Sequence, residues 1–208
     1  MIKIGIIGFG HVGQGIYKIF KENGTLISKR IGQPIHIKKI AVRSIKKYQD
    51  KIDDPSILTT DIQSIINDPD IQIIVEVIGG ENPAYQIITD ALNNKKNIVT
   101  ANKEVISKYK KHFFEIAQKN NVNIIFEAAV GGGIPIIRSL KVGYAANKIN
   151  SFYGILNGTT NFILTSMENG EKKFSEVLYN AKKLGFAESN PNSDLNGNDS
   201  ADKLRILS

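Results

Sequence analysis

The 208-residue chain contains no cysteine. It therefore has no disulfide framework, no zinc site built from thiolates and no thiol nucleophile. No apolar run approaches the roughly 20 residues of a membrane-spanning helix, and no charged-then-apolar leader precedes the first predicted strand. These absences lead us to expect a cytoplasmic protein that does not enter a membrane.

Basic residues outnumber acidic ones by 27 to 20, which gives a formal net charge of +7. A basic surface can attract nucleic acid, but lysine pairs such as Lys38–Lys39 and Lys95–Lys96 are scattered over many predicted elements without interleaved aromatic residues. We therefore expect a solvated basic surface and no nucleic-acid partner. The same charge would favour an anionic cofactor.

A strand, a glycine-rich turn and a helix follow one another at the N-terminus. The apolar run 2–7 predicts a strand, and the helical spacing of Val12, Ile16, Ile19 and Phe20 predicts a helix. Between them lies a G-x-G-x-x-G motif, formed by Gly8, Gly10 and Gly13. In such motifs the first glycine permits a tight turn, the second lets backbone approach a pyrophosphate and the third lets the helix lie close to the strand. The segment predicts a dinucleotide site; the alternative is a glycine turn that binds no nucleotide.

Strands and helices then alternate as is typical of a doubly wound parallel sheet, an α/β fold. Strands are predicted at 35–42, 71–78, 97–101 and 122–126, and helices at 61–67, after Pro83 and at 104–118. The glycine run at 131–133 is the candidate boundary between a nucleotide-binding domain, 1–133, and a second domain, 134–208.

The end of the second predicted strand bears on the choice of dinucleotide. Arg43 stands there with Lys46 and Lys47 close by, and no acid occurs until Asp50. An acid at this place would bond the ribose of NAD, whereas arginine accommodates the 2′-phosphate of NADP. We predict NADP; NAD remains the alternative if Arg43 only stacks on the adenine or points to solvent. His11, in the glycine turn, either donates to the phosphate or lies exposed.

The second domain is predicted to begin with a helix at 134–146 and a strand at 149–156. The strand leads into residues 157–161 (NGTTN), whose N–H groups and hydroxyls could hold a small carboxylate. The alternative is that a threonine simply caps the helix predicted at 161–168. A further helix is predicted at 175–184, stopping at Gly185.

A carboxylate-rich loop leads into the last predicted helix. If Asn198 caps that helix, Asp199 and Lys203 lie one turn apart on one face, with Glu188 and Asp194 arriving from the loop. Such a cluster can hold an ammonium group and move a proton. Acids in a first helical turn would also suit the helix dipole without any function.

Six motifs resemble those of homoserine dehydrogenase, in order and throughout the chain. They are GFGHVG at 8–13, EVIGG at 76–80, TANK at 100–103, EAAVGGGIP at 127–135, GILNGTTN at 154–161 and the segment 185–203. The resemblance implies a Rossmann-type nucleotide domain followed by the first part of an α+β substrate and dimerisation domain. It also implies reversible NAD(P)-dependent reduction of L-aspartate 4-semialdehyde to L-homoserine, toward threonine, methionine and isoleucine.

The resemblance also assigns roles to residues. Lys203 matches the family's acid/base lysine and Lys103 a second lysine near the same oxygen, with Asp199 beside them. The substrate-binding matches are Gly158 and Thr159 for the carboxylate, Glu188 for the amino group, and Asp194 in the polar pocket. The cofactor-binding matches are Gly8, Gly10, His11, Val12, Gly13, Arg43, Gly79, Gly80, Thr100 and Lys103. A sodium ion bound by main-chain oxygens would fall at Glu127, Val130, Gly132 and Ile134.

The sequence stops at Ser208, inside the helix that carries Lys203, whereas the family's substrate domain continues and supplies much of a dimer interface. We therefore expect a homodimer for the full-length form only. An alternative hypothesis is a catalytically silent NADP-binding module. The related enzyme that oxidises aspartate semialdehyde through a thiohemiacetal is excluded, because it needs a cysteine.

Overall fold

The computed structural model describes residues 1–170 and 173–208. The chain divides into two compact units, Met1–Gly133 and Ile134–Ser208. The division falls at the glycine run. None of the helices in the described part of the chain is long and apolar enough to cross a membrane.

The first unit is built on a six-stranded parallel sheet with the strand order β3-β2-β1-β4-β5-β6. The strands are β1 (Ile2–Ile7), β2 (Ile35–Ala41), β3 (Leu58–Thr59), β4 (Ile73–Glu76), β5 (Asn97–Thr100) and β6 (Ile124–Ile125). This confirms the predicted doubly wound fold. The order reverses between β1 and β4, which places a crevice at the carboxyl ends of these two strands.

Four helices connect these strands: α1 (His11–Ile31), α2 (Gln63–Ile66), α3 (Ala84–Asn93) and α4 (Lys103–Asn120). Helix α1 ends at Gly32, whose φ of 82° gives the left-handed conformation that glycine adopts without strain. Helix α4 begins after Asn102, whose side chain accepts a hydrogen bond from the Val105 N–H.

The core lies between sheet and helices and is mostly isoleucine, with Ile6, Ile40 and Ile74 fully buried. Of the apolar residues that predicted α1, Ile16 and Phe20 pack against this core. The other two, Val12 and Ile19, are about half exposed. The helix was therefore predicted correctly, although only part of its apolar pattern faces the sheet.

Strand β4 is shorter than the predicted strand 71–78. The Val77 N–H still donates to the Ile7 carbonyl, but the Ile78 N–H turns to the carboxylate of Glu76 instead of to a neighbouring strand. The chain therefore leaves the sheet just before Gly79.

The second unit contains five α-helices within its described residues. They are α5 (Ile136–Arg138), α6 (Gly158–Glu168), α7 (Phe174–Lys183), α8 (Asn192–Leu195) and α9 (Asn198–Leu207). A small core of Ile163, Val177, Ala181 and Ala187 joins α6 to α7 and the loop that follows. Gly185 terminates α7 as predicted, with a φ of 80°.

Two predictions for this unit were wrong. The helix expected at 134–146 is reduced to α5 and a π-helical turn, Ser139–Gly143. The strand expected at 149–156 does not form. A strand needs a neighbour for its N–H and C=O groups, and the described part of this unit contains no other strand. Its apolar side chains, including Tyr153 and Ile155, are exposed.

Candidate cofactor and substrate sites

A cavity of about 520 Å³ opens at the carboxyl ends of β1, β2 and β4, where the strand order reverses. Ligands of doubly wound proteins bind at this point of the sheet. The lining comes from the glycine turn, the end of β2 and the end of β4: Ile7, Gly8, Phe9, Gly10, Ala41, Val42, Arg43, Ser44, Lys47, Tyr48, Thr60, Ile62, Val77, Ile78 and Pro83.

The three glycines of the turn occupy three different environments. Gly8 has a φ of 105°, and a Cβ there would lie 2.7 Å from the Val77 carbonyl oxygen. A Cβ on Gly13 would lie 2.3 Å from the Gly8 carbonyl oxygen, so helix and turn touch there. Nothing lies within 4 Å of a Cβ on Gly10. The first and third glycines are therefore required by the fold, whereas the second leaves space beside the backbone.

The start of α1 is suited to an anion. Its N-cap is Gly10, and no side chain caps its first N–H groups. These groups and the helix dipole can bind a phosphate. Val12 is half exposed in the first turn, and His11 is exposed at the first helical position.

The far side of the cavity, after β2, carries positive charge. Arg43 is exposed there and lines the cavity together with Lys47. Tyr48, which sequence reasoning missed, packs edge-on against Phe9 with ring centroids 5.5 Å apart. The Lys47 ammonium lies 5.4 Å from the centroid of the Tyr48 ring. This packing connects the basic end of the cavity to the glycine turn.

The other end of the same sheet edge brings together the loop after β4 and the start of α4. Gly79 and Gly80 both adopt left-handed conformations, with φ of 79° and 74°. The Asn102 Nδ2 donates to the Gly80 carbonyl at 2.7 Å. Lys103, half-buried, is the first residue of α4. The predicted nicotinamide contacts of the first unit are thus adjacent.

Thr100 has a structural partner on each side. Its hydroxyl is buried, donates to Glu76 Oε2 at 2.6 Å and accepts from the Asn102 N–H at 2.9 Å. A contact between Thr100 and a cofactor would therefore come from the main chain. Neither Glu76 nor Asn102 was predicted as a site residue.

The second unit contains a polar cluster centred on Lys203. The Lys203 Nζ lies 2.6 Å from Asp199 Oδ2 and donates to the Leu156 carbonyl at 2.7 Å. The Asn157 Nδ2 donates to Asp199 Oδ2 at 2.8 Å and to Asp194 Oδ1 at 2.7 Å. Asp199 and Asn157 are buried. The predicted i, i+4 pair is present, and Asn157, which sequence reasoning missed as a site residue, joins it to Asp194.

Thr159 extends this cluster. Its hydroxyl lies 2.6 Å from the Phe186 carbonyl and 2.9 Å from Asp194 Oδ2. Glu188, two residues after Phe186, is exposed and takes no part in the hydrogen bonds that join Asn157, Thr159, Asp194 and Asp199. The structure thus brings Thr159, Asp194, Asp199 and Lys203 together and leaves Glu188 on the surface.

Both helix caps at this cluster differ from prediction. Asn157 caps α6 by accepting from the Thr160 N–H at 2.8 Å, so the helix begins at Gly158 and neither threonine is its cap. Helix α9 begins at Asn198, and its N-cap is Gly197, which has a left-handed conformation. The predicted cap at Asn198 was wrong by one residue.

The predicted sodium ligands fall between residues 127 and 134 of the sequence. Glu127 opens a 3-10 turn, Val130 is buried, and Gly132 has a φ of 56°. Ile134 belongs to the second unit. Main-chain carbonyls are hard oxygen donors that suit such a cation. Among the described residues, no group of three or more His, Cys, Asp or Glu could hold a metal ion.

Two family models match the chain. Residues 8–127 match the NAD binding domain of homoserine dehydrogenase, and residues 135–208 match homoserine dehydrogenase. The chain belongs to the homoserine dehydrogenase family. It is similar to the homoserine dehydrogenase of Bacillus subtilis, with 42% identity over 99% of the chain and 48% of that relative. The homoserine dehydrogenase of Synechocystis is 45% identical over 99% of the chain and 47% of its own length.

Solved structures of homoserine dehydrogenases are also similar to this chain. The enzyme from Thiobacillus denitrificans matches with a TM-score of 0.92 and 42% identity, over 99% of this chain and 48% of that one. A hyperthermophilic archaeal homoserine dehydrogenase in complex with NADPH matches with a TM-score of 0.85 and 28% identity, over 99% of this chain and 68% of that one. The chain spans about half the length of the curated relatives it matches.

Proposed function

We propose that this chain carries the cofactor site and the acid/base lysine of a homoserine dehydrogenase, which interconverts L-aspartate 4-semialdehyde and L-homoserine with NADP. The observation that carries this proposal is the anchored Lys203, held by Asp199 and the Leu156 carbonyl. Membership of the family and the cavity at the switch point of the sheet support it.

Lys203 is the proton donor in the reductive direction. When bound, NADPH supplies a hydride to the aldehyde carbon. Two partners orient the Lys203 ammonium, and a third N–H is left to donate to the aldehyde oxygen. That oxygen gains a proton from Lys203 as the C–H bond forms, which yields the hydroxyl of homoserine. Lys103 is the second ammonium that stabilises the developing negative charge.

The two charged ends of the substrate have separate binding groups. The backbone N–H groups of Gly158 and Thr159, at the start of α6, bind the carboxylate. The Thr159 hydroxyl already has partners in Phe186 and Asp194, so it positions the turn. Glu188, together with Asp194, binds the amino group.

The cofactor is NADP, with the adenosine 2′-phosphate against Arg43 and Lys47 and the pyrophosphate at the start of α1. Two basic groups and no acid among the residues lining that end of the cavity support this choice over NAD. His11, Val12, Gly79, Gly80 and Lys103 complete the cofactor contacts. A sodium ion is held by main-chain oxygens of Glu127, Val130, Gly132 and Ile134. Residues 134–208 are part of a substrate and dimerisation domain. The full-length protein is a cytoplasmic homodimer.

The test is to titrate the full-length protein with NADPH, following cofactor fluorescence, and then to add aspartate semialdehyde. The proposal expects saturable binding followed by NADPH oxidation and homoserine formation. Because the chain spans about half of its relatives, the second candidate is a module that binds NADPH without turnover. Saturable binding with no homoserine formed would favour that module and overturn the enzymatic assignment.

A further inference from the structure

The loop that follows β4 is fixed by a chain of hydrogen bonds through buried side chains. Glu76, the last residue of β4, is 0% exposed. Its Oε1 accepts from the Ile78 N–H at 2.8 Å, and its Oε2 accepts from the Thr100 hydroxyl at 2.6 Å. A buried carboxylate needs such donors, and the two bonds hold it in one orientation.

The hydrogen bonds continue from Thr100 to Asn102 and return to the loop. The Asn102 N–H donates to Thr100 Oγ1 at 2.9 Å, and the Asn102 Nδ2 donates to the Gly80 carbonyl at 2.7 Å. Ile78 and Gly80, on either side of Gly79, are therefore tied to one network. The same Asn102 caps α4, at whose first position Lys103 stands.

The loop around Gly79 and Gly80 is held by hydrogen bonds and not by side-chain packing. Gly79 and Gly80 have left-handed backbones, and nothing lies within 4 Å of a Cβ at either position, so side-chain packing does not hold them. The next residue, Glu81, accepts from Lys108 Nζ at 2.6 Å and from the Tyr109 hydroxyl. The hydrogen bond from Lys108 holds the pKa of the Glu81 carboxyl below its ordinary value. Tethers on both sides thus fix a backbone segment that faces open space.

This segment lies beside one end of the cavity, since Val77, Ile78 and Pro83 line it. The basic end, with Arg43 and Lys47, is at the end of β2, across β1 from β4. A dinucleotide that crosses the switch point has its two halves on these two sides. The hydrogen-bond network of Glu76, Thr100 and Asn102 lies on the β4 and β5 side of the switch point.

We propose that Glu76, Thr100 and Asn102 are positioning residues for the nicotinamide half of the bound dinucleotide. They hold the Gly79–Gly80 turn against the first turn of α4. This inference rests on the proposed function, because the adenosine half must occupy the end of the cavity at Arg43.

The test compares two ligands, NADPH and 2′,5′-ADP, which contains only the adenosine half. Asn102→Asp keeps the oxygen that caps α4 and removes the donor to Gly80. We expect its Kd for NADPH to rise about tenfold, and its Kd for 2′,5′-ADP to stay within about twofold of wild type. The matched control is Asn94→Asp, where an exposed amide donates to the Asp90 carbonyl at the opposite edge of the sheet. It should change neither Kd.

A second pair of variants tests whether the hydroxyl group of Thr100 is required, or only the size of its side chain. Thr100→Val removes the bond to Glu76 and the acceptor for Asn102, whereas Thr100→Ser keeps both. We expect the valine variant to lose NADPH selectively and the serine variant to bind as wild type does. If Asn102→Asp and Thr100→Val bind NADPH normally, or lose both ligands equally, the inference is overturned.

The same titrations distinguish failure of the inference from failure of the proposed function. A wild-type protein that binds NADPH and 2′,5′-ADP but yields no homoserine from semialdehyde contradicts the function. The ratio of the two affinities in the variants still decides the inference. A wild-type protein that binds neither ligand contradicts both.

Discussion

We propose that the choice between NADP and NAD depends on Arg43. It is exposed at the end of β2 and lines the cavity with Lys47. Its guanidinium can form two charge-assisted hydrogen bonds to a 2′-phosphate, which NAD lacks. This difference between the two cofactors is the basis of the proposed preference for NADP.

We expect Arg43→Asp to weaken NADPH binding by about 1–3 kcal/mol, through loss of these bonds, and to spare NADH. Fluorescence titration with both cofactors measures the effect. Arg30→Asp, the same change in the last turn of α1, controls for net charge and should leave both affinities as they are. Equal weakening of NADPH and NADH binding by Arg43→Asp would show that Arg43 does not bind the 2′-phosphate.

We propose that the proton-transfer step depends on Lys203. Without its ammonium, the forming alkoxide has no donor from α9, so Lys203→Ala in the full-length protein should lower kcat by roughly 10²–10⁴-fold. NADPH binding should be nearly intact, because the cavity belongs to the first unit. Stopped-flow and steady-state assays of NADPH oxidation by aspartate semialdehyde measure kcat. Lys183→Ala, at the end of α7, is the control and should be fully active. A normal kcat for Lys203→Ala would leave Lys103 as the candidate donor.

At the scale of elements, the strand–turn–helix unit at the N-terminus contains one glycine that the fold requires, Gly13, and one that leaves space for a cofactor, Gly10. A Cβ at Gly13 would meet the Gly8 carbonyl oxygen at 2.3 Å, whereas a Cβ at Gly10 would meet nothing within 4 Å. The two glycines of one motif therefore have different physical requirements.

Gly13→Ala should lower the free energy of unfolding by about 1–3 kcal/mol, because helix α1 must move away from the turn. Gly10→Ala should leave stability within about 0.5 kcal/mol of wild type. It should weaken NADPH binding, since the new methyl group occupies the space left for the pyrophosphate. Urea unfolding and NADPH titration on both variants make the comparison. Equal stabilities for the two variants would contradict the assigned roles.

The amino-terminal edge of the sheet makes its own contribution to stability. Asp70 lies 2.7 Å from Lys3 Nζ and 3.0 Å from Lys38 Nζ, and hydrogen bonds from these ammoniums lower its pKa from 3.8 to about 2. A carboxyl group with a lowered folded-state pKa stabilises the fold above its unfolded pKa. That contribution is lost as the pH falls from about 4 toward 2.

Asp70→Asn should therefore be less stable than wild type at about pH 6, and the difference should shrink as the pH approaches about 2. Urea unfolding at several pH values measures it. The comparison variant is Asp53→Asn, because Asp53 pairs with one lysine, Lys21, whereas Asp70 pairs with two. A difference between wild type and Asp70→Asn that stays constant with pH would rule out this linkage.

Local signals explain which elements could be predicted from the sequence. Strand β1 and the start of α1 follow from an apolar run and glycine spacing within about a dozen residues. The start of α9 also has its predicted Asp199–Lys203 pair, although the cap is Gly197 instead of Asn198, because the i, i+4 spacing depends on the helix alone.

Contacts between distant residues explain what could not be predicted. The strand at 149–156 failed because pairing depends on a neighbour, which no local pattern reveals. Asn157 was missed because its partners, Asp194 and Asp199, are 37 and 42 residues away. The link from Glu76 through Thr100 to Asn102 was missed for the same reason, since it joins β4 to the start of α4.

At the scale of the whole molecule, the residues that the proposed reaction needs come from both units. The first unit provides the cavity and Lys103, and the second provides the cluster of Lys203, Asp199, Asn157 and Asp194. Both units match models of the same family. The proposed function requires that these groups act on one substrate in the full-length protein.

The most direct test of that claim is the stoichiometry of one turnover. Full-length protein, purified free of host enzyme, is mixed with NADPH and a limiting amount of L-aspartate 4-semialdehyde, and NADPH loss and homoserine gain are both quantified. We expect one homoserine formed for each NADPH oxidised in the wild type, and almost no oxidation in Lys203→Ala on the same timescale. NADPH that stays reduced in the wild type, despite saturable binding, would contradict it.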